Sequence, residues 1–344
     1  MSTHAPAALA QELELALTAV RAASEVCSTV QHDLVGAGSM SKGDKSPVTV
    51  ADFASQAVVA HHLAQAFPDD PLVGEEDASA LRSGDEASLA DQVIDHAQQA
   101  IGPEITGPQV LDLIDRGNHQ PDLGNLGRYW TLDPIDGTKG FLRGQQYAVA
   151  LALLIDGQVV LGVLGCPNLD GPDGEPGLLL SAGIGSGCYA RPLFDDAAEP
   201  QPCRVTSGGQ PGGDAASARF VESVESGHSD QGASAAAVQA LGTTAEPVRI
   251  DSQCKYAVVA QGKAEVYLRL PTRKGYREKI WDHAAGMICV QEAGGRVTDA
   301  YGRPLKFTRG AQLEDNAGIV ATSGPLHDAV VDAVRPHLPD PSEV

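Results

Sequence analysis

Apolar positions recur along this chain with two periods, and the change from one to the other marks out its elements. Leu9, Leu13, Leu17 and Val20 fall three or four residues apart, which predicts an amphipathic helix over roughly residues 6–32. A Gly/Ser/Lys loop follows, in which Pro47 favours extended backbone just before it. VTVADFASQAVVAHHLAQAF then predicts a second helix, with Asp52 in its first turn and Phe67-Pro68 at its end. LVGEED is a short apolar strand that runs into three acids. Residues 77–127 are polar with weak helix signals and are expected to form a loop or lid over a site. RYWTLDPIDGT reads as a strand breaking into a turn, and YAVALALLIDGQVVLGVLGCP as a hairpin turned by Asp156-Gly157. Gly-rich strands are expected around 177–190. The low-complexity stretch 206–247 is the expected boundary region, beyond which strands and helices alternate in a second α/β layer system.

A length of 344 residues predicts two domains or one large α/β unit, here divided as 1–200 and 201–344. With 42% apolar residues the chain builds a sizeable core. Its net charge of −21 disfavours nucleic-acid polymers and anionic membranes as partners. No apolar run reaches the ~18 residues of a membrane span. The first ten residues carry no basic residue and no leader-like apolar core. The six cysteines are scattered without paired spacing, as reduced thiols would be. A cytoplasmic location is therefore expected, and the chain is also expected to be a monomer. One stretch opposes the acidic balance: residues 249–279 hold eight Lys or Arg against three acids, suited to an anion.

The acids at strand ends carry the chemistry. In LDPIDGT, Asp133 and Asp136 flank a turn stiffened by Pro134, a spacing that can aim both carboxylates and the Ile135 carbonyl into one pocket. Like charges this close repel unless they are protonated or joined by a cation, and a hard cation such as Mg²⁺ prefers these oxygens. Thr138 can cap a helix or hold a water. A simple Asx turn is the plain alternative. An aspartyl-phosphate phosphatase is disfavoured, because two residues rather than one separate the acids. Glu75 is the best placed of its acidic trio to complete a cation site. Asp282 and Asp52 each fall near a helix start, where capping competes with a ligand role.

Together SPVTVADFASQ, LVGEED, RYWTLDPIDGTKGFLRGQQYAVALALLIDG, DSQCKYAVVAQGKAEVYLRLP and KIWDHAAG…EAGG…TDA resemble the 3′(2′),5′-bisphosphate nucleotidases. These belong to the lithium-sensitive, magnesium-dependent phosphatase superfamily that includes inositol monophosphatases and fructose-1,6-bisphosphatases. DPIDGT and WDHAAG mark the superfamily, while KGFLRG, DSQxKY and VYLRLP mark the nucleotidase branch. The resemblance implies an α/β (α+β) layered αβαβα sandwich. It further implies that Glu75, Asp133, Asp136, Asp282 and the Ile135 carbonyl hold two or three Mg²⁺ ions, one position of which takes inhibitory Li⁺. Asp52 and Thr138 would orient and deprotonate the attacking water. Thr138, His228, Ser252, Lys255, Arg269 and Asp282 would bind the nucleotide. The implied reaction is adenosine 3′,5′-bisphosphate plus water to AMP and phosphate, with 3′-phosphoadenosine 5′-phosphosulfate as a further substrate and a place in sulfur metabolism and salt tolerance. An inositol-phosphate phosphatase is the alternative enzyme, and a catalytically inactive nucleotide sensor the alternative of another class. Cys254 stands where the family pattern expects a small residue.

Overall fold

The computed structural model describes residues 9–35, 46–83, 87–206, 215–224, 229–273 and 275–339. The first seven strands form one sheet in chain order: β1 (Leu72–Gly74), β2 (Arg128–Asp136), β3 (Ala148–Ile155), β4 (Gln158–Asp170), β5 (Pro176–Gly183), β6 (Gly187–Pro192) and β7 (Gln201–Cys203). All neighbours pair antiparallel except β1 with β2, which run parallel. The β3–β4 hairpin turns through Asp156 and Gly157, both at positive φ (49° and 75°), as the sequence predicts. The second sheet, in the order β11-β12-β10-β8-β9, comprises β8 (Phe220–Glu222), β9 (Val248–Arg249), β10 (Val266–Arg269), β11 (Arg296–Thr298) and β12 (Ile319–Thr322).

Helices α1 (Ala10–Val30) and α2 (Ser46–Ala66) cover one face of the first sheet. Ala16, Ala19, Ala23, Ala51, Ala54 and Ala57 are wholly buried there, so small side chains let the helices approach closely. α2 begins before Pro47, which falls in the first turn, where a missing N–H is harmless.

Residues 77–127 depart from the expected loop or lid. They fold into α3 (Ser79–Arg82), α4 (Ala87–Ile101) and α5 (Gly107–Asp115). Val93 and Ala97, then Val110 and Ile114, repeat at four-residue spacing and enter the same core as α1 and α2. The sparse apolar residues of this stretch are enough to dock its helices because each falls on one face.

Between the sheets lie α8 (Cys254–Ala260) and α9 (Ala284–Glu292), following α6 (Thr138–Leu142) and α7 (Gln231–Ala240) in the chain. α7 and α10 (His327–Val334) cover the outer face of the second sheet. The layers are therefore αβαβα. Among the described residues no helix is long and apolar enough to cross a membrane, and all six cysteines are free and buried.

Candidate active site

β2 delivers the two central acids, and it does so through an irregularity. Trp130 and Leu132 face the core under α1 and α2, while Tyr129 faces the core on the other side of the sheet. Strict alternation would send Asp133 and Asp136 to opposite faces. The register instead shifts: Asp133 pairs with Ala150 and Asp136 with Ala148, so three steps on β2 match two on β3. The extra residue returns Ile135 to the core under the helices and puts Asp133 and Asp136 on the same face. Pro134 suits this bulge because it has no N–H to withdraw from the ladder. Its carbonyl accepts the Ser55 hydroxyl of α2 at 3.2 Å. Gly137 then turns at φ 99°, a conformation that side chains rarely adopt, and releases the chain into α6 with Thr138 first.

β1 brings Glu75 to the same end of the sheet, because Gly74 pairs in parallel with Leu132. The fully buried Gln56 of α2 holds this loop. Its amide donates to the carbonyls of Glu76 at 2.6 Å and Ile114 at 2.7 Å, and its oxygen accepts the Glu76 N–H at 3.1 Å. Asp52 lies one helical turn earlier on α2 and is also buried. Asp282 arrives from the far side of the cleft, just before α9. Gln253 braces it against Asp136: the Gln253 N–H donates to Asp136 Oδ2 at 2.6 Å, and its side chain donates to the Trp281 carbonyl at 2.8 Å and accepts the Gly286 N–H at 3.0 Å. Neutral amides and hydroxyls thus fasten backbone around acids that repel one another.

The repulsion is visible in the carboxyl pKa values. Burial raises Asp133 well above the ordinary range, and Glu75, Asp136, Asp282 and Asp52 add to it. Burial also raises Asp282 well above its usual value, with Asp136, Glu278 and Glu75 opposing the relief from Arg269. Glu75 is raised by burial and Asp136, and Asp52 by burial, Glu76 and Glu75. Asp136 is raised by burial despite Lys255 and Arg269. Such a set favours protons or a cation.

Asp133 Oδ1 is buried without a hydrogen-bond partner, and carboxylate oxygens are the donors a hard divalent ion takes. The residues present therefore fit Mg²⁺. Among the described residues, the trio with ligating atoms all within 4.8 Å of one another is Glu278, Asp282 and His283, which shares only Asp282 with the set expected from sequence. Glu278 is already engaged by Arg269 at 2.9 Å and His283 at 3.2 Å, so this trio is an ion-pair lock.

A cleft of about 420 Å³ opens beside Asp136 and Asp282, and Thr138, Ser252, Lys255 and Arg269 line it with them. Ser252 holds a positive φ of 67°, unusual for a side-chain-bearing residue, and its hydroxyl accepts the Cys254 N–H at 3.2 Å. Lys255 is buried, and burial lowers its ammonium to about 8 against the pull of Asp136. Glu75 lines a neighbouring depression of about 530 Å³ with Lys279, Trp281 and Arg309. His228 lies outside the described residues. The basic stretch 249–279 is no continuous wall, since Arg249 pairs with Glu222, Arg277 with Glu314, and Lys279 sits over Trp281. Of that stretch, Lys255 and Arg269 are the cations lining the cleft. The sequence assigns no individual role to Gln56, Gln253, Glu278 or His283, although three of them fall within the motifs quoted above. The position of Gln56 four residues after Asp52 was the available signal, because that spacing puts both on one helix face.

A five-layer αβαβα fold with clustered acids above its first sheet defines a class, and the chain matches the inositol monophosphatase family over residues 8–338. The chain belongs to this family. It is 41% identical over 338 residues to a 3′(2′),5′-bisphosphate nucleotidase of Schizosaccharomyces pombe, covering 94% of each chain. It is 45% identical over 323 residues to a 3′(2′),5′-bisphosphate nucleotidase of Emericella nidulans, covering 87% of this chain and 90% of the relative. An inositol monophosphatase structure from Anabaena superposes with a TM-score of 0.60 at 23% identity, covering 96% of this chain and 97% of that one, which establishes the shared fold.

Proposed function

We propose that this protein is a Mg²⁺-dependent 3′(2′),5′-bisphosphate nucleotidase that cleaves the 3′-phosphate of adenosine 3′,5′-bisphosphate to give AMP and phosphate. The observation that carries the reading is one cleft lined both by acids, Asp136 and Asp282, and by two partly desolvated cations, Lys255 and Arg269. A monophosphate needs only the acid side with its cation, whereas a bisphosphate also uses the basic side. The 41–45% identical nucleotidase relatives support this choice.

Glu75, Asp133, Asp136, Asp282 and the Ile135 carbonyl would hold two or three Mg²⁺ ions, with Li⁺ as an inhibitor. When bound, Mg²⁺ supplies charge neutralisation for the phosphoryl group and acidifies water. Asp52, with its raised carboxyl, takes the proton of the attacking water, which Thr138 orients from the first turn of α6. Lys255, Arg269 and Ser252 grip the 5′-phosphate and sugar, and His228 would also bind the nucleotide. 3′-Phosphoadenosine 5′-phosphosulfate fits the same grip, consistent with a role in sulfur metabolism. The protein would act as a monomer, and six free thiols suit a reducing cytoplasm. The first sheet ends at Cys203 and the second begins at Phe220, which supports two units divided near residue 200.

The test is a phosphate-release panel on adenosine 3′,5′-bisphosphate, inositol 1-phosphate and fructose 1,6-bisphosphate, with and without Mg²⁺. Mg²⁺-dependent preference for the nucleotide is expected. Preference for an inositol phosphate, or nucleotide binding without phosphate release, would overturn the reading.

A further inference from the structure

Beneath the two cleft cations runs a buried polar chain. Tyr256, wholly buried in α8, places its hydroxyl 2.9 Å from His283 Nδ1. His283 Nε2 lies 3.2 Å from Glu278 Oε2, and the same oxygen is 2.9 Å from the Arg269 guanidinium. The direction of these bonds follows from chemistry. Glu278 is held down at about 2, since Arg269 and His283 outweigh its burial, so it is an ionised acceptor. A carboxylate only accepts, so the His283 ring meets Glu278 through Nε2–H, while Nδ1 pairs with the Tyr256 hydroxyl. The chain therefore runs from the Tyr256 hydroxyl through the His283 ring to Glu278, which accepts from both His283 and Arg269.

The same tyrosine reaches the second cation. Tyr256 packs edge-on against Tyr267, with ring centroids 5.0 Å apart at 87°, and Lys255 Nζ lies 5.4 Å over the Tyr267 ring. Gly286 leaves the space that this requires, because a Cβ there would stand 2.3 Å from the Tyr256 ring. Arg269 is meanwhile pulled two ways: its guanidinium is 2.9 Å from Glu278 but 3.9 Å from Asp282. Glu278 alone is a carboxylate on a flexible stem. Fixed from behind by His283, it holds Arg269 on the basic side of the cleft.

We infer that Tyr256, His283 and Glu278 are positioning residues for specificity: they set Arg269, and through Tyr267 also Lys255, to receive the second phosphate of the substrate. This rests on the nucleotidase reading above. None of the three needs to touch substrate, and the hydrolysed phosphate does not depend on them. Their loss turns the enzyme from one that demands two phosphates toward one that accepts a single phosphate equally well.

The test compares adenosine 3′,5′-bisphosphate with adenosine 3′-monophosphate, which keeps the scissile group and lacks the second phosphate. His283→Leu should raise KM for the bisphosphate about tenfold, as expected for loosening one charge-assisted contact, and leave kcat within about twofold. KM for the monophosphate should not move. His283→Gln, whose amide restores a donor toward Glu278, should recover most of the loss. Tyr256→Phe removes one hydroxyl, should give a smaller shift of the same kind, and carries the test if His283→Leu does not fold. Equal KM increases for both substrates, or no increase for either, would overturn the inference. Arg269→Ala separates the two claims. If it leaves bisphosphate KM unchanged, the nucleotidase reading of the cleft is wrong; if it raises KM while the His283 and Tyr256 variants do not, only the positioning inference fails.

Discussion

Replacing Gln56 by methionine isolates the fastening of Glu75 from the charge of Glu75 itself. Methionine has nearly the same length and no donor or acceptor of comparable strength. The substitution removes three hydrogen bonds, two donated by the Gln56 amide and one accepted by its oxygen. Ile114 keeps a partner, since its carbonyl also accepts the Gly117 N–H at 3.0 Å. The Glu76 N–H and carbonyl lose theirs. At about 1 kcal/mol per net bond and about 1–3 kcal/mol per orphaned buried group, the loss comes to roughly 2–4 kcal/mol once water reaching the half-buried Glu76 is allowed for. That is a large share of the about 5–15 kcal/mol that holds a typical domain together, yet compatible with folding. Supports behind metal-binding groups typically govern affinity by about 10–100-fold, so the Mg²⁺ concentration for half-maximal phosphate release should rise at least about tenfold. Urea unfolding and a Mg²⁺ titration of activity measure the two effects side by side. Lost stability with an unchanged Mg²⁺ midpoint would refute the reasoning, because Gln56 would then support the helices and not Glu75. Gly74→Ala and Gly117→Ala give an independent check, since a Cβ at either comes within 2.5 Å of the Gln56 amide and should displace it.

Asp133→Asn should abolish turnover, by at least about 10³-fold, while raising the urea midpoint of metal-free protein, because it removes a buried charge from a repelling set. Glu76 is pushed up to about 7 by burial, then by Glu75 and Asp77, from an ordinary value of 4.5. Between those values the unfolded chain releases a proton that the folded chain keeps, so stability falls as pH rises through that window, and Glu76→Gln should flatten the slope in pH-dependent unfolding. The six cysteines should resist a thiol reagent in the native state and all react on unfolding, because each is buried; rapid native labelling of any of them would contradict the packing. Gly286→Ala should cost about 1–3 kcal/mol by thermal unfolding, as overpacking against Tyr256 does.

What was legible in the chain was what repeats locally. Helix α1, the Asp156-Gly157 hairpin and the acids at strand ends are each written within a few residues. The helices of 77–127 were harder to see because five buried residues, Leu81, Val93, Ala97, Val110 and Ile114, carry their docking in an otherwise polar stretch. The eight basic residues at 249–279 looked like one feature because they are near in sequence. Pairing with Glu222 and Glu314, far away in the chain, draws some of them off. Gln56, Gln253 and His283 were silent for the same reason: an amide or imidazole has meaning only through the group opposite it, and those groups lie 20 to 58, 28 to 117 and 5 to 27 residues away.

The bulge in β2 makes the central motif a matter of counting. Asp133 and Asp136 share a face only because one residue too many lies between them for the partner strand. A change of side chain at Pro134 or Ile135 leaves that parity intact, whereas deletion of either residue would realign the strand and turn one carboxylate into the core beneath α1 and α2. The segment should therefore tolerate replacement far better than it tolerates insertion or deletion. Over evolutionary time its length should be held more firmly than the identities of its two middle residues.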